Sequence, residues 1–126
     1  MQIEVSPGEL IDKLTILEIK LDRIFDAQKR RNVEAEHAVV QAAYEAHVPA
    51  SETLAGLVDR LREVNLRLWT IEDDIRDCER RQKFGPPFVA LARSVYLNND
   101  RRSELKREIN ALLGSDLREE KSYARY

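Results

Sequence analysis

The chain holds a single cysteine, Cys78, among 126 residues, which excludes an internal disulfide and a cysteine zinc site. Cys78 falls among apolar residues at helical spacing, where a small buried hydrophobe is its expected role. Only 4 glycines and 4 prolines punctuate the chain, so few turns and long elements are expected. No apolar run approaches the roughly 18 residues that a membrane span needs. Neither sign of charge dominates: 21 Lys and Arg stand against 23 Asp and Glu, a formal charge of −2, which argues against nucleic acid as the main partner. The two histidines, His37 and His47, lie too far apart in sequence to make a metal pair and read as solvated side chains. There is no Ser-His-Asp set, no Cys-His pair and no glycine-rich phosphate loop, so neither a cofactor nor a metal is expected. The opening MQIEVSPGEL lacks the basic and apolar regions of a signal peptide; a cytoplasmic location, with no membrane association, is the expectation.

What is present is helix. Ser6-Pro7-Gly8-Glu9 reads as a capped helix start, with Pro7 at the first helical position. Leu10, Leu14, Leu17, Leu21 and Ile24 follow at alternating spacings of four and three, the period of one buried seam. Ile16 and Ile19 lie off that seam and hint at a second packed surface. The pattern weakens through KRRN, and residues 33–47 are alanine-rich and expected to be helical but only partly buried. A long helix follows, with Leu61, Val64, Leu68, Ile71, Ile75 and Cys78 on its seam, and Gly85-Pro86-Pro87 ends it. The last helix is apolar at both ends (Phe88, Leu91, Ala92, Val95; then Leu105, Ile109, Leu112, Leu113), with Gly114 as its C-cap. These patterns predict one all-α domain over 1–126: a long, coiled-coil-like antiparallel bundle of three to four helices at 7–30, 33–47, 51–84 and 87–113. Residues 114–126 form a tail, with Tyr123 and Tyr126 available to dock it, and dimerisation completes the bundle.

Polar residues interrupt or border these seams. Glu18 breaks the line Ile11–Glu18–Phe25, and Asn65, Glu72 and Glu79 continue a line that begins at Val58. Trp69 and Arg76 flank Glu72, which makes Asn65–Glu79 the stretch about which the chain reads as organised. Continuing the last seam past Val95 lands on Asn99, Arg102 and Lys106, with Arg93, Tyr96 and Asp100 on the adjoining face. Counting 13 residues each way from Gly85 puts Glu72 level with Asn98, so Glu72 is expected near Asn99 and Arg102. The candidate polar core cluster is therefore Glu18, Asn65, Glu72, Arg76, Glu79, Arg93, Tyr96, Asn99, Asp100, Arg102 and Lys106. Unpaired charges in a core cost several kcal/mol, so these groups should pair with one another, with water or with a ligand. Two readings stay open: an ion-pair network that fixes helix register, and a polar pocket of the kind that bundles use for ligands.

The motifs SPGELIDKLTILEIKL (6–21), NLRLWTIEDDIR (65–76), LARSVYLNNDRRSELKREIN (91–110) and EEKSY (119–123) resemble a bacterial domain-of-unknown-function family of short all-helical proteins. The resemblance covers the chain apart from roughly 28–55. It implies membership and no settled activity; its one further implication is an association with genes for surface-polysaccharide biosynthesis.

Function is expected to be that of an oligomeric binding or accessory module, a homodimer with Ile16 and Ile19 at or near its interface, whose polar cluster takes a small anionic ligand or a partner protein. The alternative is a small helical enzyme acting on a nucleotide or a phosphorylated or carboxylated substrate. Glu18, Glu72, Asp73 and Glu79 would hold Mg²⁺ in a pyrophosphohydrolase-like version; Lys13, Arg76, Arg102 and Lys106 would hold an anion in a mutase-like one.

Overall fold

The Ser6 hydroxyl accepts from the Glu9 amide at 3.2 Å and Pro7 occupies the first turn, so α1 starts there and runs Pro7–Arg23. It stops earlier than its seam suggests. Ile24 turns extended, Asp26 caps the next helix by accepting from the Lys29 amide, and α2 (Ala27–His47) runs through KRRN without a break. Arg30 explains the tight reversal: its guanidinium donates to the carbonyls of Leu21 and Ile24, the acceptors left open at the end of α1. The expected break near 28–32 therefore lies at 24–26, and the alanine-rich segment folds back on α1.

Ser51 caps α3 (Glu52–Arg81), which ends where Gln82 adopts a left-handed conformation, φ 54°. The Lys83 amide reaches the Cys78 carbonyl at 2.9 Å and the Gln82 amide reaches Glu79 at 3.1 Å, closing the helix end. α4 (Pro86–Leu112) begins at the proline pair and ends at Gly114, φ 65°, as the glycine position predicts. The computed structural model describes residues 1–126, is helical in all four elements and contains no strand. No helix is long and apolar enough to cross a membrane.

α1 is the hub, and the stretch 65–79 is not. Its leucine seam, Leu14 and Leu17 with half-buried Leu10, packs on Val40, Val33 and Tyr44 of α2. Ile11 looks the other way, into a cluster with Leu54, Leu57, Leu61 and Val64 of α3 and Leu105 and Ile109 of α4. Each such fully buried Leu or Ile contributes about 1.5–3 kcal/mol. α2 is lashed to α1 by Lys13–Glu36 at 3.0 Å and makes no comparable packing on α4. Ile19, expected on an exposed face, is buried within the chain, and Ile16 is partly covered. The supposed exposed isoleucine pair does not exist, because α1 is enclosed by three helices rather than one.

α1 meets only the first half of α3 and the second half of α4. Beyond it the two long helices continue as a bare antiparallel hairpin in which no residue from 66 to 102 is buried. The seam residues Leu68, Ile71, Ile75, Cys78, Leu91 and Val95 are half-buried there, covered by one neighbour helix and nothing else.

Candidate functional site

The α1 residues Gly8, Asp12, Thr15 and Ile19 repeat at spacings of four and three and form the stripe that faces α3 and α4. At its foot the helices nearly touch. The Gly8 amide donates to Asn110 Oδ1 at 2.7 Å, and a Cβ on Gly8 would sit 2.6 Å from the Lys106 carbonyl. Asn110 thus supplies an acceptor to one of the free amides of α1's first turn.

One turn on, Asp12 is 1% exposed and carries the centre of a polar network. Arg102 donates to it with both Nε, at 2.8 Å, and Nη2, a side-on pairing of fork to fork. Asn65 Nδ2 donates to Asp12 Oδ1 and to Thr15 Oγ1, both at 2.9 Å, and the Thr15 hydroxyl donates to the Asp12 carbonyl at 2.8 Å. A buried carboxylate on α1 thereby meets a charge of opposite sign from α4 and an amide donor from α3, the amide steadied by Thr15. The hydrogen bonds to Asp12 outweigh the opposing effect of burial and hold Arg102 above the ordinary guanidinium pKa.

A turn of α4 further on, the Lys106 ammonium lies between two carboxylates, Glu9 at 2.8 Å and Glu119 at 3.1 Å. Burial works against its charge, but the hydrogen bonds to the two carboxylates prevail and raise its pKa. Glu119 belongs to the tail, which runs back along α4: Arg107 Nε donates to the Glu119 carbonyl, Lys121 Nζ to the Asn99 carbonyl, and the Tyr126 hydroxyl to Asp100. Tyr126 stacks obliquely on Tyr96, centroids 5.1 Å apart, and both Tyr123 and Tyr126 stay largely exposed. The bond to Asp100 holds the Tyr126 phenol above its usual pKa.

Of the eleven sequence candidates, the structure brings Asn65 and Arg102 together on Asp12, with Lys106 and Asn99 beside them. Tyr96 and Asp100 flank this group by holding the tail. Glu18 is elsewhere, paired with Arg62 across α1 and α3 at 2.9 Å and half in water. Glu72 and Arg76 pair only with each other along the hairpin, with side chains 55% and 78% exposed. Glu79 and Arg93 are exposed near the hairpin tip. The register count from Gly85 identifies which levels of α3 and α4 face each other; it does not show that α1 is absent at that level. Without α1 there is no third wall, and Glu72 remains in solvent.

Asp12, Thr15, Glu9, Ser103 and Glu119 escape the sequence reading. Asp12 stands on the face of α1 opposite the leucine seam, where an acid reads as a surface residue. The signal that locates it is the off-seam Ile19, whose helical repeat passes back through Thr15 and Asp12 to Gly8.

No protein-family model matches the chain, and no curated protein or solved structure matches it significantly.

Proposed function

We propose that the chain is a self-associating helical binding module and that two copies join through the α3–α4 hairpin. The observation that carries this is the absence of any buried residue between 66 and 102, although that segment bears a full apolar seam. A second copy suits it for two reasons. The overhang is about 24 Å long and about 20 Å wide, a projected area within a factor of two of the about 800 Å² per partner of a standard interface. Its charges are also self-complementary: Glu72, Asp73 and Asp74 precede Arg80, Arg81 and Lys83, so a two-fold antiparallel pairing sets acids against bases. A groove of about 540 Å³ on the hairpin, lined in part by Leu66, Thr70, Ile71 and Ser94, offers room for the partner's side chains. The homodimer thus replaces Ile16 and Ile19 with Leu66, Ile71 and Leu97 as its contact residues.

The enzyme reading has less support. Glu18 stands apart from Glu72 and Glu79, which lie two turns from each other on the exposed hairpin, and no three His, Cys, Asp or Glu side chains are grouped as metal ligands. Lys13 and Arg76 are tied to Glu36 and Glu72, away from Arg102.

Sedimentation velocity tests the dimer. Leu66 and Leu97 are exposed in the single chain, so Leu66→Glu with Leu97→Glu should leave the fold intact and yield monomers where the wild type is dimeric. A wild-type protein that remains monomeric at high micromolar concentration overturns the reading.

A further inference from the structure

The tail closes a small polar cavity of about 80 Å³ lined by Asn99, Arg102, Ser103, Lys106, Glu119 and Lys121. At about 30 Å³ per water it has room for two or three waters, or for one compact charged group. Ser103 is one of these residues; it is 4% exposed, and its hydroxyl is buried without a hydrogen-bond partner. A serine inside a helix ordinarily satisfies itself on the carbonyl one turn back, as Ser94 does on Ala90 at 2.9 Å. Ser103 does not. Its neighbours are cationic: Arg102 spends Nε and Nη2 on Asp12, leaving Nη1 without a partner, and Lys121 reaches only the Asn99 carbonyl at 3.4 Å.

One carboxylate already stands in this cavity, and it is the chain's own. Glu119 meets Lys106 but leaves Ser103 unsatisfied. Apart from the Lys106 pair and the distant Tyr126–Asp100 bond, the tail is held here by a 3.3 Å bond from Arg107 to the Glu119 carbonyl and the long Lys121 contact. We propose that the cavity is a phosphoryl-binding site in which Glu119 acts as a removable internal ligand. A tetrahedral oxyanion placed where the Glu119 carboxylate sits has enough acceptors for Lys106, Ser103, Lys121 and the free edge of Arg102 together; a carboxylate has two oxygens. Glu9 remains on Lys106, where its side chain is half in solvent.

The organic part of the ligand has a place as well. Lys121 also lines an open groove of about 780 Å³ with Tyr96, Asp100, Tyr123 and Tyr126. Phosphoryl cavity and tyrosine groove therefore share a wall, which suits a phosphomonoester with a flat organic face. This inference deepens the binding-module reading by naming the ligand class. It is independent of the hairpin, so failure of one does not mimic failure of the other.

Isothermal titration with inorganic phosphate and with phenyl phosphate, at ionic strength matched with chloride, tests it, with dimerisation followed separately by sedimentation. Glu119→Gln should bind phosphate more tightly by about fivefold or more, since it removes a competing anion. Ser103→Ala should weaken binding by about tenfold, the value of one hydrogen bond to a charged group. Lys121→Met, on the exposed tail, should weaken it without affecting the fold. Phenyl phosphate should bind better than phosphate, and Tyr123→Ala should remove the difference. Phosphate binding no stronger than chloride, or a Glu119→Gln protein that binds no better than wild type, overturns the proposal. If phosphate binds and phenyl phosphate gains nothing, the tyrosine groove is rejected as the site of the organic part.

Discussion

Asp12 and Arg102, 90 residues apart in sequence, meet side by side in the centre of the fold, Nε to Oδ1 at 2.8 Å. Only Arg102 keeps an edge toward solvent, its side chain 30% exposed against 2% for Asp12. Losing the arginine strands a buried carboxylate. Arg102→Met should therefore cost about 3–5 kcal/mol, while the double change Asp12→Leu, Arg102→Met should cost much less than the sum of the singles. Urea unfolding of all three variants checks this. Glu72→Gln serves as the contrast: its pair with Arg76 lies in water, and its removal should change stability by less than about 0.5 kcal/mol.

Lys106 makes stability fall at alkaline pH. Its folded pKa lies above the ordinary value of 10.5 because two carboxylates hold the proton. A raised pKa gives stabilisation that is complete below the unfolded value and lost as pH rises through the folded one. The difference in unfolding free energy between wild type and Lys106→Met should be constant from pH 7 to about 9.5 and shrink above about pH 10.5. A difference that grows with pH would contradict the assignment. Tyr126 shifts in the same direction, so the Lys106→Met comparison is best made in a Tyr126→Phe background.

Two backbone positions should respond in opposite directions. Gly8→Ala forces a methyl to within 2.6 Å of the Lys106 carbonyl, a backbone atom that moves only with α4. It should destabilise by about 1–3 kcal/mol. Gln82→Gly relieves a left-handed residue at the end of α3, gives up the exposed bond from its side chain to the Glu79 carbonyl at 2.7 Å, and should stabilise by about 0.5 kcal/mol. Thermal unfolding of the two variants should bracket the wild type.

Helicity, and roughly where each helix runs, can be read from local patterns alone. Apolar period, the Ser6-Pro7 start, Gly85-Pro86-Pro87 and Gly114 are local signals, acting within a turn or two of the residues that carry them. The same patterns also mark Asn65, Arg102 and Lys106, because each interrupts or borders a long apolar seam. What those residues meet depends on how the helices pack. Asp12 and Glu72 are both acids that lie off the apolar seam of their own helix. Asp12 is buried because α1 lies against both long helices at its level; Glu72 stands on the part of α3 beyond Asn65, which carries no buried residue. The same geometry leaves half of α3 and α4 bare and brings Glu119 of the tail back to Lys106. Helical period records which face of a helix is apolar; how far along that face a neighbour extends depends on where the other helices start and stop, and periodicity carries no term for it.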